Sequence, residues 1–260
     1  MKFGLLGAVN IENTVEAKYK YIEKLMALRN GMDILCFPEM FFISDYKEIS
    51  YDIIKKLESI RLLIKAKVIE WDLAVSYGTV VCENNDFYIA QIIALPDGRE
   101  YEYRKMILGK NERKHFKSGE EICFFDYKGI RFGVLLCIET HLPELSYLYK
   151  RKGCQIILAP FKMPGTMEKR IEIWKKYIPA RSYDYNLIHI CNNYYGGVYA
   201  TDGKGDNIDI KNDGNINYLD IDFKDAFNNR VEYFDYSRND LIEKYIDEFR
   251  TGDKDDTRKE

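Results

Sequence analysis

Short apolar runs alternate with longer amphipathic stretches along the chain. Residues 2–9 predict a strand, 12–30 a helix, 32–37 a strand and 47–70 a long Lys-rich helix. Apolar runs at 73–82, 86–95 and 99–104 are separated by Asn84-Asn85 and Pro96-Asp97-Gly98, which predicts a three-stranded meander. A second strand pair, 121–127 and 129–136, turns at Lys128-Gly129. A helix at 143–151 leads to a strand at 154–159, and a helix at 167–185 leads to a strand at 186–192. Pro179 should kink that last helix. A hairpin over 205–221 turns on Asn212-Asp213-Gly214.

Helices and strands interleave with no Pro/Gly/Ser linker and no internal repeat. This assigns one α/β domain over residues 1–250, followed by a charged tail at 251–260 with the composition of a disordered segment. Mixed parallel and hairpin connections, flanked by long amphipathic helices, suggest two sheets packed together with helices outside. Net charge is −3 and the basic residues are scattered, so no phosphate-backbone footprint exists and nucleic acid is excluded as the expected partner. No apolar run approaches the ~20 residues that span a bilayer, so no membrane is expected.

The six cysteines carry no dithiol or zinc-finger spacing, and the three histidines no i, i+4 pair. No metal or cofactor is expected. Cys36, Cys82, Cys123, Cys154 and Cys191 sit in apolar runs and read as reduced core residues of a cytoplasmic protein. Cys137 differs. It ends the run Gly133-Val134-Leu135-Leu136 and precedes Ile138-Glu139-Thr140-His141-Leu142-Pro143, where Pro143 suits a first helical turn. A cysteine at a strand-to-helix turn meets unpaired N–H groups that favour its thiolate. Three more polar groups sit in comparable places: Glu39 after Ile34-Leu35-Cys36-Phe37-Pro38, Lys105 after Tyr101-Glu102-Tyr103-Arg104, and Glu112 seven residues beyond. Singly, Glu39 could be a helix charge partner, Lys105 a surface lysine and Glu112 a loop cap. Strand ends of an α/β sheet are nevertheless where ligand sites collect.

Together these segments resemble the nitrilase, or carbon–nitrogen hydrolase, superfamily, with Glu, Lys and Cys in that chain order. Phe37-Pro38-Glu39 is similar to its base motif, Tyr103-Arg104-Lys105 to its lysine motif with Glu112 as second glutamate, and Gly133 through Glu144 to its nucleophile motif. Trp174 with Ala180-Arg181-Ser182-Tyr183-Asp184, Asn192-Asn193 with Gly196-Gly197, and Arg238 with Tyr245 extend the likeness. Ile107, Pro179 and Ile138 depart from the pattern. Glu139 leans slightly towards nitrile-cleaving members, the competing reading being a carboxylate that accepts hydrogen bonds at the turn.

The resemblance implies a four-layer α-β-β-α sandwich, homodimers, and a thioester mechanism on a small amide with water. Glu39, Lys105, Glu112 and Cys137 would be catalytic, with the Ile138 backbone N–H in the oxyanion site. Phe41, Phe42, Glu139, His141 and Phe161 are expected against the substrate, core packing being the competing reading for the phenylalanines. An amidase is the leading expectation. The alternatives are a nitrile hydrolase, an amine acyltransferase on the same site, or a non-catalytic binding or assembly protein.

Overall fold

The computed structural model describes residues 1–28, 31–214 and 216–227. Strand β1 (Lys2–Leu5) leads to helix α1 (Val15–Leu28), β2 (Ile34–Cys36), α2 (Tyr51–Trp71) and the meander β3 (Ala74–Glu83), β4 (Asp86–Ala94) and β5 (Glu100–Arg104). The hairpin β6 (Phe124–Tyr127) and β7 (Ile130–Val134) follows, then α3 (Pro143–Arg151) and β8 (Ile156–Phe161). Helices α4 (Met167–Trp174) and α5 (Ile178–Tyr185) precede β9 (Ile188–Asn193), β10 (Val198–Thr201), β11 (Lys211–Asn212), β12 (Asn217–Asp220) and α6 (Phe223–Ala226).

These strands form two sheets, a seven-stranded one in the order β11-β12-β1-β2-β3-β4-β5 and a five-stranded one in the order β10-β9-β8-β7-β6. Each has three parallel strands at its centre, β1-β2-β3 and β7-β8-β9, with antiparallel strands outside them. Inner faces meet through Phe3 against Phe132 and Tyr101 against Phe125. The Asn192 amide crosses the interface and donates to the Leu6 and Cys36 carbonyls at 3.1 and 3.2 Å.

Helix α2 starts on Ser50, whose hydroxyl accepts from the Ile53 N–H. It buries Ile54, Leu57, Ile60, Ile64 and Val68, one helical stripe, and packs on α1, β3 and β4. Helices α3 and α5 pack on each other, and α5 on β9 and β10. Helices therefore cover both sheets from outside, the expected α-β-β-α layering. One helix expected over 167–185 is two. The chain leaves helical geometry around Tyr177 and restarts at Ile178, with Pro179 in the first turn of α5, where its missing N–H costs nothing. The tail at 251–260, the remainder of the domain beyond 227, Arg238 and Tyr245 lie outside the described residues.

Cys36, Cys137, Cys154 and Cys191 are buried, Cys82 and Cys123 half-buried, and all six are free thiols. Among the described residues no helix is long and apolar enough to cross a membrane, and no group of three His, Cys, Asp or Glu could hold a metal ion.

Candidate active site

The end of β2 aims Glu39 inward. Phe37 donates to the Ser76 carbonyl at 2.7 Å, and the Gln91 amide bridges the Phe37 carbonyl and the Ser76 hydroxyl. Behind this turn stands Gly78. A Cβ there would lie 2.4 Å from the Pro38 oxygen and 2.3 Å from the Met40 nitrogen, so no side chain fits. Lys105 leaves the end of β5 with its N–H on the Ile89 carbonyl, while Gly119 donates to its own carbonyl at 2.8 Å.

The Lys105 ammonium, 1% exposed, meets Glu39 Oε1 at 2.7 Å and Glu112 Oε1 at 2.8 Å. Glu112 is fixed in turn by the Gly109 N–H on Oε2 at 2.6 Å. Burial disfavours the charge on Lys105, but Glu39, Cys137 and Glu112 outweigh it and hold its pKa above the usual range. Complete burial pushes the Glu39 carboxyl up, against the pull of Lys105.

Cys137 comes from the other sheet. After β7 the chain turns with Cys137 at φ +50°, a left-handed conformation costing a non-glycine residue roughly 1–2 kcal/mol. It opens a short 3-10 turn over Cys137–His141, and α3 begins only at Pro143. The turn is closed by the Thr140 hydroxyl on the Cys137 carbonyl at 2.7 Å. Cys137 is 7% exposed. Burial pushes its thiol well above the usual range, Glu39 pushes it further, and Lys105 only partly opposes them. Burial thus works against the thiolate that the turn's unpaired N–H groups favour.

Glu139, expected against the substrate, faces the protein instead. Oε2 accepts from the Leu136 N–H and the Tyr103 hydroxyl, both at 2.7 Å. Oε1 accepts from the Met106 and Ile107 N–H groups at 2.7 and 3.0 Å. Phe41 and Phe42 are fully buried and packed edge on among Phe37 and Tyr77, the core alternative. Phe161 is equally buried but belongs to the cluster that contains Cys137 and Trp174. His141 is exposed and stacks on Tyr177 at 4.0 Å between ring centres. Its carbonyl accepts from Arg181 at 3.2 Å. The side chain of Ile138 is exposed beside Cys137, and its N–H lies in the first turn of the 3-10 segment, where no intrahelical acceptor exists.

Three further residues border this arrangement. The Lys162 N–H donates to Glu39 Oε2 at 2.8 Å. Lys162 is the polar residue that ends β8, so the strand-end pattern that singled out Glu39 and Lys105 applies to it as well. Tyr46 shares the electrostatic environment of Glu39, Lys105, Glu112 and Cys137, and burial pushes its phenol up to about 12. Tyr177 reaches the Thr140 hydroxyl at 3.0 Å. No motif in the sequence marks either tyrosine.

Residues 7–198 match the family model described as carbon-nitrogen hydrolase. An (R)-stereoselective amidase of a Pseudomonas species is 26% identical over 192 residues, covering 73% of this chain and 66% of the amidase's length. The amidase of Nesterenkonia sp. AN1, a nitrilase-superfamily protein, superimposes in its butyramide complex with a TM-score of 0.79 at 16% identity, over 94% of this chain and 97% of that one. A glutamate-to-glutamine variant of that amidase, with acrylamide added to its active-site cysteine, gives 0.78 at 16% identity, over 94% and 99%. At such identities the structural likeness speaks to the fold.

Proposed function

The chain belongs to the carbon–nitrogen hydrolase family, and from that premise we propose that it is a cysteine-dependent amidase acting on a small amide through a thioester. The observation that carries this reading is the buried Glu39–Lys105–Glu112 network at the ends of β2 and β5, electrostatically coupled to a cysteine in a left-handed turn at the end of β7.

Glu39 takes the Cys137 proton as sulfur bonds to the amide carbon. The carbonyl π electrons move to oxygen, and Lys105 with the Ile138 N–H stabilises that oxyanion, each such contact being worth roughly 3 kcal/mol. Collapse breaks the C–N bond, and Glu39 returns its proton to the departing nitrogen. Water then attacks the thioester, giving a proton to Glu39. The carbon–sulfur bond breaks, and the proton ends on Cys137. Glu112 and the Lys162 N–H keep Lys105 and Glu39 in register.

Cys137→Ala should abolish ammonia release from small amides while leaving the circular dichroism spectrum unchanged. Activity surviving in that variant sinks the reading. Primary amides are favoured over nitriles, because Glu139, the residue that pulled towards nitriles, has both oxygens engaged by four protein donors. One acyl skeleton offered as amide and as nitrile tests this: a higher kcat/KM for the nitrile reverses the order. The same reading holds the protein to be a cytoplasmic homodimer with a single catalytic domain. Elution at the mass of one 30.7 kDa chain at micromolar concentration would count against the dimer.

A further inference from the structure

Helix α4 carries a charge the mechanism does not use. Arg170 is 8% exposed, and its Nη2 donates to the Pro164 carbonyl at 3.3 Å. Its Nε has no partner, and no carboxylate of the described residues forms an ion pair with it. One turn on, Trp174 is fully buried and its Nε1–H is likewise unpartnered. Residues four apart share a helix face. Here both press on Gly197, whose Cβ would stand 3.7 Å from Arg170 Cγ and 3.5 Å from Trp174. The acidic residues of α4, Glu168 and Glu172, are exposed.

This face adjoins the nucleophile. Trp174 belongs to the apolar cluster of Cys137 and Phe161. Tyr177 is within electrostatic reach of both Arg170 and Cys137, and His141 within reach of Arg170. Both orphans are donors, and a guanidinium is charged at every accessible pH. An uncompensated buried charge is costly, and an anionic acceptor satisfies it. A planar carboxylate fits the guanidinium fork.

Resting on the amidase reading, we propose that Arg170, assisted by the Trp174 Nε1–H, is the subsite for a carboxylate borne by the amide substrate. The carboxylate can belong to the acyl chain or to the departing amine, and the test separates the two. Succinamate carries it on the acyl side and N-acetylglycine on the amine side. Each is paired with a neutral near-isostere in which a methyl ketone replaces the carboxylate: 4-oxopentanamide and N-(2-oxopropyl)acetamide.

In the wild type one acid should exceed its ketone in kcat/KM by at least about tenfold, as expected for hydrogen bonds to a charged group. That ratio should fall towards one in Arg170→Gln and be partly kept in Arg170→Lys. Because the ratio is read within each variant, a general loss of activity cancels. If Arg170→Gln does not fold, the drop is read in Arg170→Lys alone. A wild type indifferent to both acids overturns the proposal, as does a preference that survives in Arg170→Gln. A turnover-free arm keeps the two readings apart. Calorimetry should find one acid bound by Cys137→Ala and not by the Cys137→Ala/Arg170→Gln double variant, which supports the subsite even if no amide is ever cleaved. Failure of both acids to bind Cys137→Ala overturns it whatever the turnover.

Discussion

At Lys105 an ammonium lies between two carboxylates at 2.7 and 2.8 Å, and each carboxylate is held in turn by a backbone N–H. At Arg170 a guanidinium with five N–H donors meets a single carbonyl, and a neighbouring indole N–H goes unmet. Both cations are buried; Lys105 acts on Cys137 directly, and Arg170 lies one helical turn from Trp174 of the Cys137 cluster. The first is complete without a ligand and the second is not. A completed network holds reacting groups still, which preorganised electrostatics requires. An incomplete one leaves attraction unspent for a ligand.

The contrast breaks if the two cations respond alike to removal. Lys105→Met leaves Glu39 and Glu112 facing each other without a cation. We expect turnover to fall about a hundred- to a thousandfold and the urea unfolding free energy to drop by about 3–5 kcal/mol.

Between the two extremes lies His189, a buried titratable group kept neutral. Its Nδ1 meets the Ser182 hydroxyl at 2.9 Å and its Nε2 has no partner. Burial lowers its pKa to about 3 from 6.5. Below pH 6.5 the unfolded chain takes a proton that the folded one refuses. Stability from this group is therefore full above pH 6.5 and lost as pH falls towards 3, by about 2 kcal/mol at pH 5. Glu39, with its raised pKa, acts oppositely: the folded chain keeps its proton to higher pH than the unfolded one, so its stability cost shrinks as pH falls. The difference between wild type and His189→Asn, measured by urea midpoints at pH 7 and pH 5, isolates the histidine. No difference in slope would refute it.

The smallest effect has the opposite sign. With no ligand present, Arg170→Met removes an unpaired charge and keeps the apolar stem, so the unfolding free energy should rise by about 1 kcal/mol. A loss of several kcal/mol would place Arg170 with Lys105 as a paired structural cation.

Much of this site was legible in the sequence because it lies where strands stop. Glu39, Lys105 and Cys137 each follow an apolar run, and a polar residue at such an end has little to do in the core. Lys162 obeys the same rule and was passed over, since its contribution is made by the backbone N–H, which every non-proline residue owns. For Glu139 the sequence leaves two readings open, because a carboxylate two positions after Cys137 looks the same whether it faces substrate or four protein donors. For Phe41 and Phe42 the sequence does not separate pocket from core, since an apolar ring suits both; their packing among Phe37 and Tyr77 decides for the core. Pro179 signals a disturbance in 167–185, but a proline that suits a first helical turn as well as a kink does not say that one helix becomes two. Nothing in the sequence marks Arg170, since burial of a guanidinium is set by neighbours such as Gly197 that are distant in sequence.

Glu139 has a consequence for how the molecule comes apart. Its oxygens tie Leu136, at the end of β7 in one sheet, to Tyr103, Met106 and Ile107, in and just after β5 of the other. Parting the two strand ends strips a buried carboxylate of three of its four donors at once, a penalty that fraying at either end alone cannot avoid. The amides of Leu136, Met106 and Ile107 should therefore exchange their protons with solvent in one cooperative opening, although 29 residues separate Ile107 from Leu136. The thiol and the ammonium would separate in that same event, so loss of the site and loss of contact between the sheets would keep a single clock.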